Sequence, residues 1–362
     1  MIGHLVQATG APCPTLVLDA RRLPEDEPRL LRRLAEVRRE LLAAGAGHVL
    51  KIALARPSTH PLFDLDYYFV QVLPGPPDRF ELRGSCGHSI LATAAAAERA
   101  GMIGRLAPGS RVRVRVLNTE DSVVCELEQT EHDEARFTAT FVQLSAVPFD
   151  ELLLTGRPVS RLVVDGAATE VSLVNSGNPY AFVDARDLGV ATPDALFAAG
   201  DALFARLERI RAAAADRVGS PRTSVFPKIA ALVPGADGAL AVRALSVPGW
   251  HPTLALTGAV CLAAAAGIPH TVPWRLARQH GTAAATPAER PLVLVTPGSR
   301  TVVTAASRDT GRGRALSWTA VAHKEVAFQG SLVLDRHDHR HAVRTIVEPE
   351  EADACLSLSA AA

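Results

Sequence analysis

Two stretches of this chain are small and apolar on nearly every side, and they limit what it can fold into more than any other feature. The first, HSILATAAAAERA after Gly87, turns polar only at its end; the second is GAVCLAAAA from Gly258. A helix with one apolar stripe lies on a surface, whereas one that is apolar all round has to be enclosed. The residues around both stretches read mainly as short alternating or β-branched runs, so the enclosure is expected to be sheet.

Strand candidates fall at residues 15–18, 49–55, 67–73, 79–82, 111–116, 119–129 and 136–144, with an amphipathic, basic-faced helix over 28–44. The order then recurs. Strands at 162–164, 170–174 and 180–183 precede a long helix over 193–217, with Thr192 at its N-cap and Pro193 in its first turn. Strands at 229–233 and 240–246 precede the second apolar helix. Lys51-Ile52-Ala53-Leu54 is echoed by Lys228-Ile229-Ala230-Ala231, and each half starts its Ala-rich helix at a glycine, Gly87 or Gly258. The expected class is α+β: two pseudo-symmetric domains, each a curved, mostly antiparallel sheet wrapped around a buried central helix, with a cleft between them. The N-terminal half is expected over residues 1–150 and the C-terminal half over 151–345, with the boundary beside Pro148, Gly156 and Pro158. Residues 346–362 read as a peripheral tail and 281–289 as a surface loop.

A chain of 362 residues exceeds one typical core, which suits such a duplication. The five cysteines (Cys13, Cys86, Cys125, Cys261, Cys355) are odd in number and lack CxxC spacing. Neither a disulfide framework nor a zinc cage is expected, and a reducing compartment fits. The formal net charge is zero, so composition calls for neither nucleic acid nor an anionic membrane. The longest apolar stretch, residues 254–268, is too short to cross a bilayer. Residues 1–10 lack a basic stretch followed by an apolar run, and a cytoplasmic location is expected. No GxGxxG or P-loop pattern is present, so no nucleotide is expected. His337-Asp338-His339-Arg340-His341 has ligand-like spacing but no cysteine or carboxylate cage around it; it reads as solvated surface, and no metal is expected.

Chemistry concentrates in Ser85-Cys86-Gly87-His88-Ser89, where a strand gives way to the first apolar helix. A cysteine at a helix N-terminus faces the positive end of the dipole and unpaired backbone N–H groups. These stabilise a thiolate and can also hold a carboxylate. Such a thiolate can take a proton from carbon next to a carbonyl group and return it. The position alone also fits a small buried packing cysteine. Lys51 interrupts an apolar strand, HVLKIALA. Desolvation would tune its amine for proton transfer, unless the strand is an edge and the amine faces water. Asn178, in the NSGNP turn, is either a carboxylate contact or ordinary turn chemistry. Thr257 and Gly258 open the second helix and offer the opposite wall of an anion site. Cys261, one turn further on, reads as packing.

These segments resemble the 2-methylaconitate cis–trans isomerase (PrpF-type) family, which has the diaminopimelate-epimerase-like fold. The resemblance runs in order over most of residues 16–334: LVLDARRLP, KIAL, SCGHS, SLVNSGNPYAFVDARDLG, IRAAAADRVG, PKIAALVP and ALSVPGWHPTLALTGAVCLAAAAGIP. It implies a cofactor-independent isomerase or tautomerase that shifts a proton on a small unsaturated carboxylate, altering double-bond geometry or position. Lys51 and Cys86 take the places of the family's acid–base pair, and Asn178 that of its GNP asparagine. Ser85, Gly87, His88, Ser89, Thr257 and Gly258 are the expected substrate-binding residues, and a homodimer is compatible with the resemblance. The chain departs from the pattern where an RGGTSKG-like loop is replaced by residues 8–14 (ATGAPCP), and where NCGN becomes SCGH. The basic residues of that loop are lost, which points to a substrate with fewer carboxylates. Two other readings follow: an enzyme acting on a larger, less charged biosynthetic intermediate, such as a cyclase, or a non-catalytic accessory protein.

Overall fold

The computed structural model describes residues 1–221, 224–246, 249–278, 289–334 and 345–346. The expected loop as far as residue 288, the His337–His341 run and the tail from residue 347 lie outside the described residues. In chain order the first half contains β1 (Ile2–Ala8), β2 (Thr15–Asp19), α1 (Glu27–Ala43), β3 (Lys51–Pro57), β4 (Leu65–Val72), β5 (Phe80–Glu81), α2 (Gly87–Arg99), β6 (Arg111–Val116), β7 (Ser122–Glu131) and β8 (Glu134–Pro148). The second contains β9 (Ser160–Val164), β10 (Ala167–Ser176), β11 (Asn178–Asp184), α3 (Pro193–Ala198), α4 (Asp201–Arg217), β12 (Lys228–Pro234), β13 (Leu240–Ala244), α5 (Leu256–Gly267), α6 (Val272–Ala277), β14 (Glu289–Thr296), β15 (Ser299–Thr310), β16 (Gly313–Val333) and β17 (Thr345–Ile346).

The sheet is mixed, and its pairing repeats. β2–β3 is parallel, β3–β4 antiparallel and β4–β6 parallel, followed by the antiparallel run β6–β7–β8. In the same succession β11–β12 is parallel, β12–β13 antiparallel and β13–β14 parallel, followed by β14–β15–β16 antiparallel. β16 joins the two sets, pairing with β8 over its first part and with β1 over its last. A sheet that curls in this way leaves two faces, and the strands alternate between them. On β3, Ile52 and Leu54 pack outward with Leu34, Val37 and Leu41 of α1, while Ala53 and Ala55 face the core that holds α2. On β12, Ile229 and Ala231 pack outward with Leu203, Leu207 and Ile210 of α4, while Ala230 and Leu232 face inward. The same alternation puts Lys51 and Lys228 on the inner face, two residues before Ala53 and Ala230.

Both apolar helices are enclosed as the composition demands. Every residue of α5 from Leu256 to Ala266 is buried, and α2 is buried from Gly87 to Ala94. Ile90, Leu91 and Ala94 of α2 share one apolar cluster with Val260, Leu262 and Ala264 of α5. The helix expected over 193–217 is divided. Thr192 caps α3 as expected, its side chain accepting from the Ala195 N–H, but the chain leaves helical geometry at Ala199 and Gly200, and Gly200 caps α4. β1 and α6 had no counterpart in the expected elements. Ile2–Ala8 mixes Gly3, His4 and Gln7 into its run, and tertiary pairing on both flanks, with β2 and β16, makes it a strand.

Candidate active site

The N-termini of α2 and α5 meet. Cys86 is the N-cap residue of α2, with extended backbone at φ −135° and ψ 108°. A Cβ on Gly87 would stand 2.6 Å from Leu256 Cδ2 and 2.7 Å from Leu256 Cβ, so only glycine lets the two helix starts come this close. A Cβ on Gly258 would fall 2.4 Å from the Tyr180 hydroxyl. Gly87→Ala is expected to lose about 1–3 kcal/mol of stability through overpacking, read as a lower unfolding midpoint in denaturant.

Asn178 clasps the junction. Its Oδ1 accepts from the Ser85 N–H at 3.0 Å, and its Nδ2 donates to the Ser85 carbonyl at 2.7 Å and to Thr257 Oγ1 at 3.0 Å. The residue is fully buried, and both amide hydrogens are already engaged by protein. This geometry gives the side chain the work of positioning Ser85 and Thr257. Asn178→Ala would strand the buried Ser85 N–H and carbonyl, and is expected to cost on the order of 3 kcal/mol in equilibrium unfolding.

Cys86 and Lys51 are 8% and 5% exposed, so both are shielded from bulk water. Burial pushes the Cys86 thiol up. The Lys51 charge, the Ser89 hydroxyl, the Lys228 charge and the Ser89 backbone N–H outweigh it together and hold the thiol below its ordinary value. Ser89 is fixed by Thr15, with the two hydroxyls 2.8 Å apart, and Tyr67 donates to the Cys86 carbonyl at 3.3 Å. The other described cysteines differ. Burial raises Cys13, with the nearby Lys51 opposing the rise, and pushes Cys125 and Cys261 up to about 12. Cys261 packs as expected, its Sγ 3.5 Å from the Val174 carbonyl.

His88 and His251 complete the site. Their rings stack at 6.1 Å with planes 20° apart, and both are buried. Burial, then the charges of Lys51, Lys324 and Lys228 and the neighbouring ring of His251, drive His88 well below its ordinary value. Burial, then Lys51 and Lys228, do the same to His251, against a weaker upward pull from the Thr253 N–H, which donates to its Nδ1 at 3.2 Å. His88 Nδ1 and Ser85 Oγ are buried without a hydrogen-bond partner among the described residues. Lys51, Lys228 and Lys324 are all the lysines the chain has, against 35 arginines, and all three press on the same imidazole. None of them has a carboxylate within ion-pair distance among the described residues, whereas arginines such as Arg83, Arg115 and Arg186 do. Sequence reasoning missed Lys228, Lys324 and His251 as site residues. The signal was present in the scarcity of lysine and in the repeat that sets Lys228 where Lys51 stands. Among the described residues no group of three His, Cys, Asp or Glu side chains could hold a metal ion, and no helix is long and apolar enough to cross a membrane.

A mixed sheet closed around two buried helices is an architecture shared with solved isomerases and epimerases. The crystal structure of a methylitaconate-delta-isomerase superposes with a TM-score of 0.62 at 22% identity, over 91% of this chain and 94% of that one. A hydroxyproline epimerase from Agrobacterium vitis superposes with a TM-score of 0.61 at 16% identity, over 91% of each chain. The sequence pattern of the PrpF family (PrpF protein) matches residues 40–290, and the chain belongs to that family. Among its relatives is the 3-methylitaconate isomerase of Eubacterium barkeri, 28% identical over 273 residues, which are 64% of this chain and 71% of that protein. The chain is an isomerase, the class of its named relatives.

Proposed function

We propose that this isomerase moves a proton on a small unsaturated carboxylate, with Cys86 and Lys51 as the transferring groups. One observation carries the reading: a cysteine at a buried helix N-terminus is held below its ordinary value against the cost of burial, with Lys51 the strongest of the charges that do so. In the forward direction the Cys86 thiolate takes a proton from the carbon adjacent to the double bond. The electron pair left behind spreads through the unsaturated system into the carboxylate as a dienolate. The N–H groups of Gly87 and His88 stabilise that charge at the helix start. The Lys51 ammonium then gives a proton to the other end of the allylic system, and proton exchange with solvent restores both groups. The two repeated halves, residues 1–150 and 151–345, close over the substrate from either side.

No metal, nucleotide or pyridoxal phosphate has a part in this sequence, because a thiolate and an ammonium balance every proton moved. Activity on a small unsaturated dicarboxylate such as 3-methylitaconate, followed by the absorbance of the conjugated product, should survive exhaustive chelation without added cofactor. Loss on chelation that one metal ion restores would contradict the scheme.

A further inference from the structure

Val321 and Val326 of β16 both belong to the core that holds α2, yet strict alternation cannot set two residues five apart on one face of a strand. An extra residue lies between them. Val321 pairs with Ala139 of β8 and Lys324 pairs with Phe137, so Ala322 and His323 together oppose Thr138. His323 takes up the extra length at φ 57°, a left-handed backbone that is uncommon outside glycine. Bulges of this kind re-aim a side chain, and they gather beside active sites. Here the side chain re-aimed is that of Lys324. In an unbroken ladder His323 would stand opposite Phe137 and face the core, and Lys324 would face outward; the bulge exchanges them. His323 is exposed, whereas the Lys324 ammonium donates to Thr301 Oγ1 at 2.9 Å and its charge bears on His88.

One carboxylate ties the bulge down. Glu128 of β7 accepts at Oε1 from the His323 backbone N–H (3.1 Å) and from the Thr138 hydroxyl (2.5 Å), and its Oε2 lies 2.7 Å from His323 Nδ1. Glu128 is itself the residue skipped in its own ladder, between the pairs Leu127–Phe137 and Gln129–Arg136. Three neighbouring strands, β7, β8 and β16, are thus fastened at a single side chain. Lys51 and Lys228 reach the inner face by regular alternation at the starts of β3 and β12. Lys324 reaches it only through this irregular, clamped turn of the strand.

We infer that Glu128 is a positioning residue of the active site: it holds the bulge at His323, and the bulge carries Lys324 to its place beside His88. The inference rests on the isomerase reading for what the site does, and adds to it a residue that acts without meeting the substrate. His88 Nδ1 is buried without a partner among the described residues, so its ring is open to a bound molecule. Charge reaches that ring from three strands, with Lys51 on β3, Lys228 on β12 and Lys324 on β16, and His251 stacks against it. An ammonium beside an imidazole disfavours protonation of the ring. Lys324 in this place therefore helps to present His88 as a neutral imidazole, which can both donate and accept, where an imidazolium could only donate.

An NMR titration of the full chain, labelled in its histidine rings, tests this, with the His88 signal identified by its loss in His88→Asn. No turnover is needed, so a failure of the proton-transfer scheme leaves the result readable. Lys324→Met should move the onset of His88 protonation to higher pH, and this shift sets the scale. Glu128→Ala removes the clamp, and His323→Val puts a β-branched residue where the backbone is left-handed; each should give most of the same shift. Glu128→Gln keeps an acceptor for the His323 N–H, and His323→Gly adopts the same backbone freely, so both should titrate as the parent does. An unmoved onset in Lys324→Met overturns the inference. So does a parent-like titration in both Glu128→Ala and His323→Val, or a shift in His323→Gly as large as that in His323→Val.

Discussion

Methionine in place of Lys51 should slow isomerisation by about 10²–10⁴-fold, and serine in place of Cys86 by at least as much, the range general acid–base groups supply. Neither change should unfold the protein. Methionine matches the length of the lysine stem that enters the inner face of β3 beside Ala53, and serine keeps the N-cap position at the start of α2. The Lys51 variant should lose activity in two ways. It lacks the ammonium that returns the proton, and it also removes the strongest of the charges holding the Cys86 thiol down, so burial gains the upper hand. The sign follows. A thiol held below its ordinary value remains a thiolate to lower pH, and activity that needs the thiolate falls as pH drops through the folded value. In Lys51→Met that limb should move to higher pH, visible as a shift in the pH profile of Cys86 alkylation. Cys125 and Cys261, pushed up to about 12, should not compete for the reagent near neutrality.

Mild acid should destabilise the fold steeply, and the stacked histidines are the reason. Both are held well below the ordinary histidine value in the folded protein. Between that ordinary value, about 6.5, and the folded value, the unfolded chain binds protons that the folded chain refuses, so stability is lost as pH falls. Above pH 6.5 neither state is protonated at these rings and the effect is absent. Within the window each histidine should cost about 1.4 kcal/mol per pH unit, and the two together about twice that. Urea unfolding at pH 7 and pH 5.5 should therefore separate widely for the parent protein, and His88→Asn should remove about half of the difference. An unchanged midpoint across this range would show that burial and the nearby lysine charges do not keep the rings neutral.

Much of this was legible before any coordinates. Enclosed helices had to follow from stretches without a polar side, and the strand–helix order of the two halves repeats in the pairing of β2–β3–β4–β6 and β11–β12–β13–β14. Cys86 and Lys51 stood out for local reasons, one as a helix N-cap and the other as a charge in an apolar strand. Features set by distant pairing were less visible. β1 contains Gly3, His4 and Gln7 and becomes a strand because β2 and β16 flank it. The break at Gly200 interrupts a run of good helix formers. Asn178 could be seen as important, yet not that its amide is used on Ser85 and Thr257, because that depends on two helix starts brought together from opposite halves. Lys228 is visible in the sequence only as an echo of Lys51. Its role shows only once the inward parity of β12 is known.

The most direct test of the Cys86–Lys51 assignment is deuterium incorporation followed by NMR. The protein is incubated in deuterated water with 3-methylitaconate, and the allylic positions of substrate and product are observed over time. The assignment predicts that label enters at the migrating position with the parent protein, and that Cys86→Ser and Lys51→Met, both folded, incorporate it at least about 10²-fold more slowly. Label entering at the parent rate in either variant would contradict it.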